Sequence, residues 1–260
     1  MKFRKNVPLK NYTTFKIGGP AKYFFEAKRK EELIEAIKLA KKLELPFFIL
    51  GGGSNLLVSD KGFDGLVIKF GQPLSSYVSK GLEWAVGIPG TVQGAVYSNA
   101  GAFKKSIKDV VKEVEVFDTK TEKIKNFKSK DCKFGYRDSI FKKNKNLIIL
   151  SVKIKSKKSN RKKIKQYLDY RKKTQPLNFP SAGSIFKNPR GFFAADLIER
   201  CGLRGKRIGK VKISEKHANF IVNLGNGKAK DVKKLIKLAK QKVKSKFGIV
   251  LKEEIQLLER

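Results

Sequence analysis

Two cysteines, one tryptophan, one methionine and one histidine are all that the 260 residues hold of those types. Cys132 and Cys201 belong to no CxxC or Cys/His cluster, so neither a disulfide framework nor a zinc site is read, and both thiols are expected to be reduced and uncatalytic. Acidic residues are scarce as well, 23 against 60 lysines and arginines, a formal net charge of +37. Long apolar runs are missing: Phe47 to Leu50 and Leu147 to Leu150 fall far below the roughly 18 residues of a membrane helix, so no membrane insertion is expected. The basic start, Met1, Lys2, Arg4 and Lys5, leads into Asn6-Val7-Pro8-Leu9-Lys10-Asn11 and not into an apolar core segment. No secretory signal peptide is read there, and the chain is expected in the cytoplasm.

What is present is an ordinary globular composition, 40% apolar, enough for one or two domains. A pI near 10.2 would attract polyanions. Yet only ten of the 60 basic residues are Arg, and the lysines spread through every kind of segment. Specific nucleic-acid readout leans on Arg and aromatic platforms, so no dedicated nucleic-acid partner is expected. The field would still concentrate an anionic small molecule, and a monomer is expected.

Leu33, Ile34, Ile37 and Ala40 recur at helical spacing between Glu31 and Leu43, and Leu45 to Leu50 follows as a buried strand ending in glycines. Leu56 to Val58 and Gly65 to Ile68 read as further strands. Strands are also predicted over Leu82 to Gly87, Val110 to Phe117, Lys123 to Phe127 and Leu147 to Lys155, interrupted by Gly90 to Ala102. The polar stretch Lys157-Lys158-Ser159-Asn160 marks a boundary. Beyond it, helices are predicted around Ile164 to Arg171, at Phe193 to Arg200, and at Asp231 to Phe247 with Gly248 as the stop. A last strand is predicted from about Ile249 to Leu258. The fold class is α+β, with a first domain over 1–157 (subdomains about 1–69 and 70–157) and a second over 158–260, the last strand returning to the first lobe.

Five constellations could carry chemistry. Gly51-Gly52-Gly53-Ser54-Asn55 after a strand can aim backbone amides at phosphate oxygens, although it is neither a P-loop nor GxGxxG and a plain glycine-rich hairpin is the alternative. Gly87 to Ala102, with Pro89, Gly90, Thr91, Asn99, Ala100 and Gly101, reads as a small-residue turn pressed on a ligand, or as tight helix-to-sheet packing. Two such loops in one lobe suit a dinucleotide such as FAD better than a mononucleotide. In Tyr136-Arg137-Asp138, Arg137 could clamp a carboxylate while Asp138 holds the guanidinium, or the pair is a structural turn. Ser181 to Pro189 gathers Ser184, Lys187 and Asn188, and with no histidine nearby Ser184 is no serine-hydrolase nucleophile. In Lys252-Glu253-Glu254 strand alternation would turn the two acids to opposite faces; a solvated edge is the bland reading.

In this order, and together with Asn11-Tyr12-Thr13-Thr14-Phe15-Lys16-Ile17-Gly18-Gly19-Pro20-Ala21 and His217-Ala218-Asn219-Phe220-Ile221-Val222-Asn223, these segments resemble the UDP-N-acetylenolpyruvoylglucosamine reductases over nearly the whole chain. The resemblance implies a two-part FAD-binding lobe of the vanillyl-alcohol-oxidase type and a C-terminal domain for the UDP-sugar. The short stretch between Ile154 and Ser181 implies the shorter class, without the inserted loop whose Tyr closes over substrate. The implied chemistry is two hydride transfers through FAD, from NADPH to the enolpyruvyl group. Arg137 and Glu254 would then stabilise the growing carboxylate charge and Ser184 would supply a proton to the adjacent carbon, helped by the basicity of the enolate or by Lys187 and a water relay. Tyr136, Lys187 and Asn188 match substrate positions. Asn11, Gly51, Gly52, Gly53, Ser54, Asn55, Gly90, Thr91, Asn99, Ala100 and Gly101 match FAD positions. With no histidine in the first lobe, FAD would be held non-covalently, and no metal is expected. Gln93 stands where many relatives have Gly, and Lys252 where an acid is frequent. His217 is read as packing or a local hydrogen bond. The competing readings are another FAD oxidoreductase of this fold, such as an oxidase, and a basic binding protein that has lost the reaction.

Overall fold

The computed structural model describes residues 1–259, and the protein is α+β. Its first strands are β1 (Arg4–Pro8), β2 (Pro20–Glu26), β3 (Phe47–Leu50), β4 (Leu56–Val58) and β5 (Phe63–Lys69). Then come β6 (Gly101–Ala102), β7 (Lys105–Ser106), β8 (Val111–Asp118), β9 (Lys123–Lys128) and β10 (Leu147–Ile154). The last are β11 (Ser181–Ser184), β12 (Arg207–Ile208), β13 (Val211–Ile213), β14 (Phe220–Asn223) and β15 (Gln256–Leu258). The helices are α1 (Lys30–Lys42), α2 (Val92–Ser98), α3 (Ile140–Lys143), α4 (Arg161–Thr174), α5 (Ala194–Arg200) and α6 (Ala229–Phe247). Two compact units result, each discontinuous in sequence: residues 1–3, 25–52 and 66–170 form one, and residues 4–24, 53–65 and 171–259 form the other.

In the first unit α1 follows its sequence pattern closely. Leu33, Ala36, Ile37 and Ala40 are all buried, Glu31 and Glu32 open the helix and Lys41 and Lys42 close it, so the charges suit the helix dipole. Burial of Leu33 and Ile37 contributes about 2–3 kcal/mol each. β3 then pairs in parallel with β5, from Phe47↔Leu66 to Leu50↔Lys69. β10, β8 and β9 form an antiparallel sheet, and its Val111, Val114 and Val116 share one core with Val92, Ala95 and Val96 of α2. The stretch Leu82 to Gly87 is not the predicted strand. A 3-10 turn over Glu83–Ala85 takes its place, burying Trp84 and Ala85 in the same core. A short apolar run signals burial, and by itself it does not choose between extended and turned backbone.

In the second unit β11, β14, β13 and β12 form a sheet in that order, and α6 lays Val232, Leu235, Ile236, Ala239 and Val243 into its core. Gly248, at φ +69°, ends α6 with its amide on the Lys244 carbonyl at 2.9 Å. Phe15 and Ile17 are buried in this core, and Thr14 Oγ1 donates to the Ser181 carbonyl at 2.7 Å. The predicted strand from Ile249 to Leu258 is shorter than expected: only β15 is regular, pairing in parallel with β4 from Gln256↔Leu56 to Leu258↔Val58. The preceding residues bend because Glu253 makes a lone bridge to Phe186 while the amides of Glu254 and Ile255 converge on the Ile185 carbonyl, at 2.8 and 3.3 Å. Simple alternation of Glu253 and Glu254 is lost with it.

Asn223, 2% exposed, ties this unit together. Its Nδ2 donates to the carbonyls of Phe15 at 3.0 Å and Lys16 at 3.3 Å, and its Oδ1 accepts from Gly225 at 3.0 Å and Gly227 at 2.9 Å. Asn223→Ala would strand several buried backbone groups at once, and a loss of about 2–4 kcal/mol in urea unfolding is expected. A second expectation concerns acid. Asp118 lies 2.6 Å from Lys125 Nζ and accepts the Lys120 amide at 3.0 Å, and chiefly the Lys125 contact holds its carboxyl down to about 2. The native group stays ionised below the unfolded value of 3.8. Its stabilisation is therefore complete above that value and is lost as pH falls from there to about 2. Asp118→Asn should flatten the acid limb of a thermal-midpoint profile in that window.

Candidate active site

Leaving β3, the chain of the first unit runs through Gly51 and Gly52 against the turn at Gly90 and Thr91. A Cβ added at Gly51 would lie 2.6 Å from Thr91 Oγ1, and one at Gly52 would lie 2.5 Å from the Gly90 Cα. Two main chains therefore touch with no side chain between them. The Gly90 turn is held by the Leu74 amide on the Gly90 carbonyl and the Val92 amide on the Gln72 carbonyl, both at 2.9 Å. Thr91 caps α2 by accepting the Gly94 amide at 3.1 Å. Gln93 joins this turn to the sheet. Its Oε1 accepts the Gln72 amide at 2.9 Å and its Nε2 donates to the Leu150 carbonyl at 3.2 Å.

Past α2 the backbone of Asn99 turns left-handed, at φ 44°. Its side chain is used at both ends, donating to the Gly135 carbonyl at 2.7 Å and accepting the Lys108 amide at 3.3 Å. Gly135 and Asp138 exchange backbone hydrogen bonds of 3.0 and 3.3 Å, which places Tyr136 and Arg137 in a two-residue turn. Arg137 occupies it at φ +54°, a conformation that costs an L-residue roughly 1–2 kcal/mol. Its Nη2 donates to the Gly101 carbonyl at 2.9 Å, and its guanidinium carbon stands 5.5 Å from the centre of the exposed Tyr136 ring. Asp138 ion-pairs with Lys143 at 2.9 Å. Asn99, Gly101, Tyr136 and Arg137 are thus brought together inside this unit.

The second unit gathers a different set. Gly53, at φ +61°, presses on the Tyr12 carbonyl, where a Cβ would lie at 2.2 Å, and its own carbonyl accepts the Thr14 amide at 3.2 Å. Ser54 is half-buried behind it, and Asn11 is exposed in a 3-10 turn. Asn55 Nδ2 donates to the Glu254 carbonyl at 3.1 Å, and its own carbonyl accepts the Gln256 amide at 3.0 Å. The Glu254 amide is on Ile185, the residue after Ser184, and the Lys187 amide is on Lys252 at 2.9 Å. Ser184, Lys187 and Glu254 consequently sit on adjoining backbones, with Ser184 and Glu254 half-buried. Gly183, at φ +73°, faces open space, with no atom within 4 Å of a Cβ built there. Asn188 is exposed, and its Oδ1 accepts the Ala194 amide at the start of α5 at 3.0 Å.

A cleft of about 390 Å³ opens in the second unit between Pro176, Phe179, Lys212, Ser214 and Lys216, and none of the catalytic, cofactor or substrate residues nominated from sequence lines it. His217 packs edge-on to Phe220 and accepts the Asn219 amide at 3.3 Å, and burial pushes its imidazole down so that it is neutral near pH 7. Burial pushes the Cys132 thiol up to about 11. Among the described residues no group of three His, Cys, Asp or Glu could hold a metal ion, and no helix is long and apolar enough to cross a membrane. The glycine contact of the first unit, backbone-rich and closed to any side chain, fits FAD, whose pyrophosphate is suited to backbone donors.

Sequence reasoning misses the residues that hold these groups in place. In sequence Gln93 is only a departure from a family glycine, and Asn219 does not stand out, although it is 4% exposed and bonds both the amide and the carbonyl of Phe186, at 2.9 and 2.8 Å. The signal that could find them is a carboxamide inside an otherwise apolar or small-residue run, where burial demands partners.

Residues 175–258 match the family model described as UDP-N-acetylenolpyruvoylglucosamine reductase, C-terminal domain, and residues 21–80 match an FAD binding domain. The UDP-N-acetylenolpyruvoylglucosamine reductase of Caldicellulosiruptor bescii is 44% identical over 99% of this chain and 91% of its own length. That of Caldicellulosiruptor saccharolyticus is 45% identical over 99% and 92%, and reductase 1 of Bacillus anthracis 40% over 97% and 93%. The crystal structure of the reductase from Thermus caldophilus superposes with a TM-score of 0.82 at 34% identity, covering 99% of this chain and all of that one.

Gly52→Ala should be the harsher of two one-carbon changes. At Gly52 the methyl meets the Gly90 backbone at 2.5 Å, whereas at Gly94 it meets only Thr91 Oγ1 at 3.3 Å. The first is expected to lower both the thermal midpoint and the uptake of FAD, read by absorbance near 450 nm after reconstitution, and Gly94→Ala to leave FAD uptake close to native.

Proposed function

This chain belongs to the UDP-N-acetylenolpyruvoylglucosamine reductase family, and from that premise we propose how its own residues carry out the reaction. It is an FAD-dependent, NADPH-using oxidoreductase that reduces the enolpyruvyl group of UDP-N-acetylenolpyruvoylglucosamine to give UDP-N-acetylmuramate for peptidoglycan synthesis. The observation that carries this is the match to the reductases over 99% of the chain at 44% identity. Bound FAD would supply the hydride chemistry that links NADPH to the substrate's methylene carbon.

We assign the FAD-binding part to residues 1–157 and the substrate-binding part to 158–260, supported by family matches over 21–80 and 175–258. Gly51, Gly52, Gly90 and Thr91 present main chain to the cofactor, with Gly53, Ser54, Asn55, Asn11, Ala100 and Gly101 as its further contacts. Asn99 contributes by shape, since its carboxamide is used on Gly135 and Lys108.

Hydride addition leaves negative charge growing on the substrate carboxylate, and a positive group already oriented before that moment lowers the barrier most. Arg137 meets the requirement. Its left-handed backbone and its bond to the Gly101 carbonyl fix the plane of the guanidinium in advance. Glu254, its backbone pinned by Asn55 and Ile185, assists the same charge as a protonated donor. Ser184 Oγ delivers a proton to the adjacent carbon, beside the open space at Gly183. Lys187, Asn188 and Tyr136 bind the sugar nucleotide. A net charge of +37 opposes self-association, which supports a monomer, and the use of nucleotide substrates supports a cytoplasmic enzyme.

Anaerobic stopped-flow absorbance near 450 nm tests the assignment on FAD-loaded protein, with NADPH added first and the enolpyruvyl substrate second. Bleaching and then substrate-dependent recovery are expected. Arg137→Ala and Ser184→Ala should each slow recovery by roughly 10²–10³ while bleaching proceeds as before. Recovery only on admitting oxygen would point to an oxidase, and unaltered recovery in Arg137→Ala would end its assignment.

A further inference from the structure

The residue before the β6–β7 turn is Ala102, paired with Lys105, so Phe103 and Lys104 alone make the loop. Both are left-handed, at φ +53° and +59°. Such a turn favours Asn-Gly, and a bulky aromatic at its first position breaks the local rule at a cost in backbone free energy. The offsetting contact is on α4. The Phe103 ring stacks on Tyr167 with centroids 4.0 Å apart and 14° between planes, and meets Tyr170 edge-on at 5.4 Å. The hairpin is therefore pegged at its tip to a helix.

Its base is pegged as well. Gly101 pairs with Ser106 and is so tightly enclosed that a Cβ would lie 2.4 Å from the Lys105 carbonyl. The Gly101 carbonyl is the group that receives Arg137 Nη2 at 2.9 Å. Residues 101 to 106 thus form a short rigid bar, with Arg137 fastened at one end and α4 at the other.

We propose that Phe103 is a positioning residue for the reduction: its stack on Tyr167 fixes the hairpin whose Gly101 carbonyl orients the Arg137 guanidinium. This rests on the role assigned to Arg137 above. The stack sets where that charge stands, without Phe103 itself touching the reacting atoms. It also accounts for an aromatic in a turn that Asn-Gly would form at lower cost.

The turn is rebuilt as Phe103→Asn with Lys104→Gly, and compared with Phe103→Tyr, with Arg137→Ala, and with the turn change combined with Arg137→Ala. On FAD-loaded protein the rebuilt turn should slow substrate-driven flavin recovery about 10- to 100-fold and leave NADPH bleaching within about two-fold, whereas Phe103→Tyr, which keeps the stack, should recover at the native rate. Combined with Arg137→Ala the rebuilt turn should add no further loss. In the free protein the ¹⁵N Nε–H signal of Arg137, identified by its absence from Arg137→Ala, should shift or broaden in the rebuilt turn and stay native in Phe103→Tyr. Native recovery in the rebuilt turn, or losses that multiply with that of Arg137→Ala, would overturn the proposal while the assignment of Arg137 stands. Native recovery in Arg137→Ala would bring both down. If the rebuilt turn fails to fold, Phe103→Leu, which keeps apolar bulk without the flat stack, takes its place in the same comparisons.

Discussion

Main-chain contact without side chains is the constraint on which the first unit depends. Gly52 and Gly90 meet where even a methyl would overlap backbone, so the two turns carry none of their own specificity. They can be this close only because other residues hold them there. Leu74 and Val92 anchor the Gly90 turn through their amides, Thr91 closes the start of α2, and Gln93 reaches both Gln72 and Leu150. The arrangement divides labour: residues without side chains supply the surface, and buried carboxamides and hydroxyls just beside them supply the rigidity. Such a surface offers peptide groups and no formal charge.

The same division recurs around Arg137 and Glu254. Each is an ionisable residue whose backbone is placed by a neighbour's carboxamide, Asn99 on Gly135 in one unit and Asn55 on Glu254 in the other. Each belongs to a segment that is irregular by any secondary-structure measure. Hydrogen bonds from buried amides are well suited to this, because leaving them unmade costs more than making them gains. Irregular backbone is thereby held to one conformation.

Periodic segments are legible in the sequence for a plain reason. α1 and α6 each bury one stripe, and their boundaries are set by charge at the ends and by Gly248. Leu82 to Gly87 and Ile249 to Leu258 read as strands because short runs of apolar residues signal burial, while the first is a 3-10 turn that buries Trp84 and Ala85 and the second is regular only over β15, after the amides of Glu254 and Ile255 converge on Ile185. The motifs around Gly51, Gly90, Arg137, Ser184 and Glu254 are readable because glycine and charge stand out against their surroundings. Asn219, Asn223 and Phe103 do not stand out. Their importance comes from residues far away in sequence, such as Phe15 for Asn223 and Tyr167 for Phe103, which only the folded chain brings near.

The pairing of β15 with β4 has a consequence for how the protein is made. Leu56, Leu57 and Val58 leave the ribosome early, yet the strand they pair with lies about two hundred residues later. Phe15 and Ile17 wait as long for the core that α6 completes. During synthesis, therefore, the first unit can close on itself while apolar pieces of the second stay exposed, a window in which aggregation competes with folding. A chain stopped a few residues short would leave β4 with an open edge, so damage at the very end would be felt near the beginning.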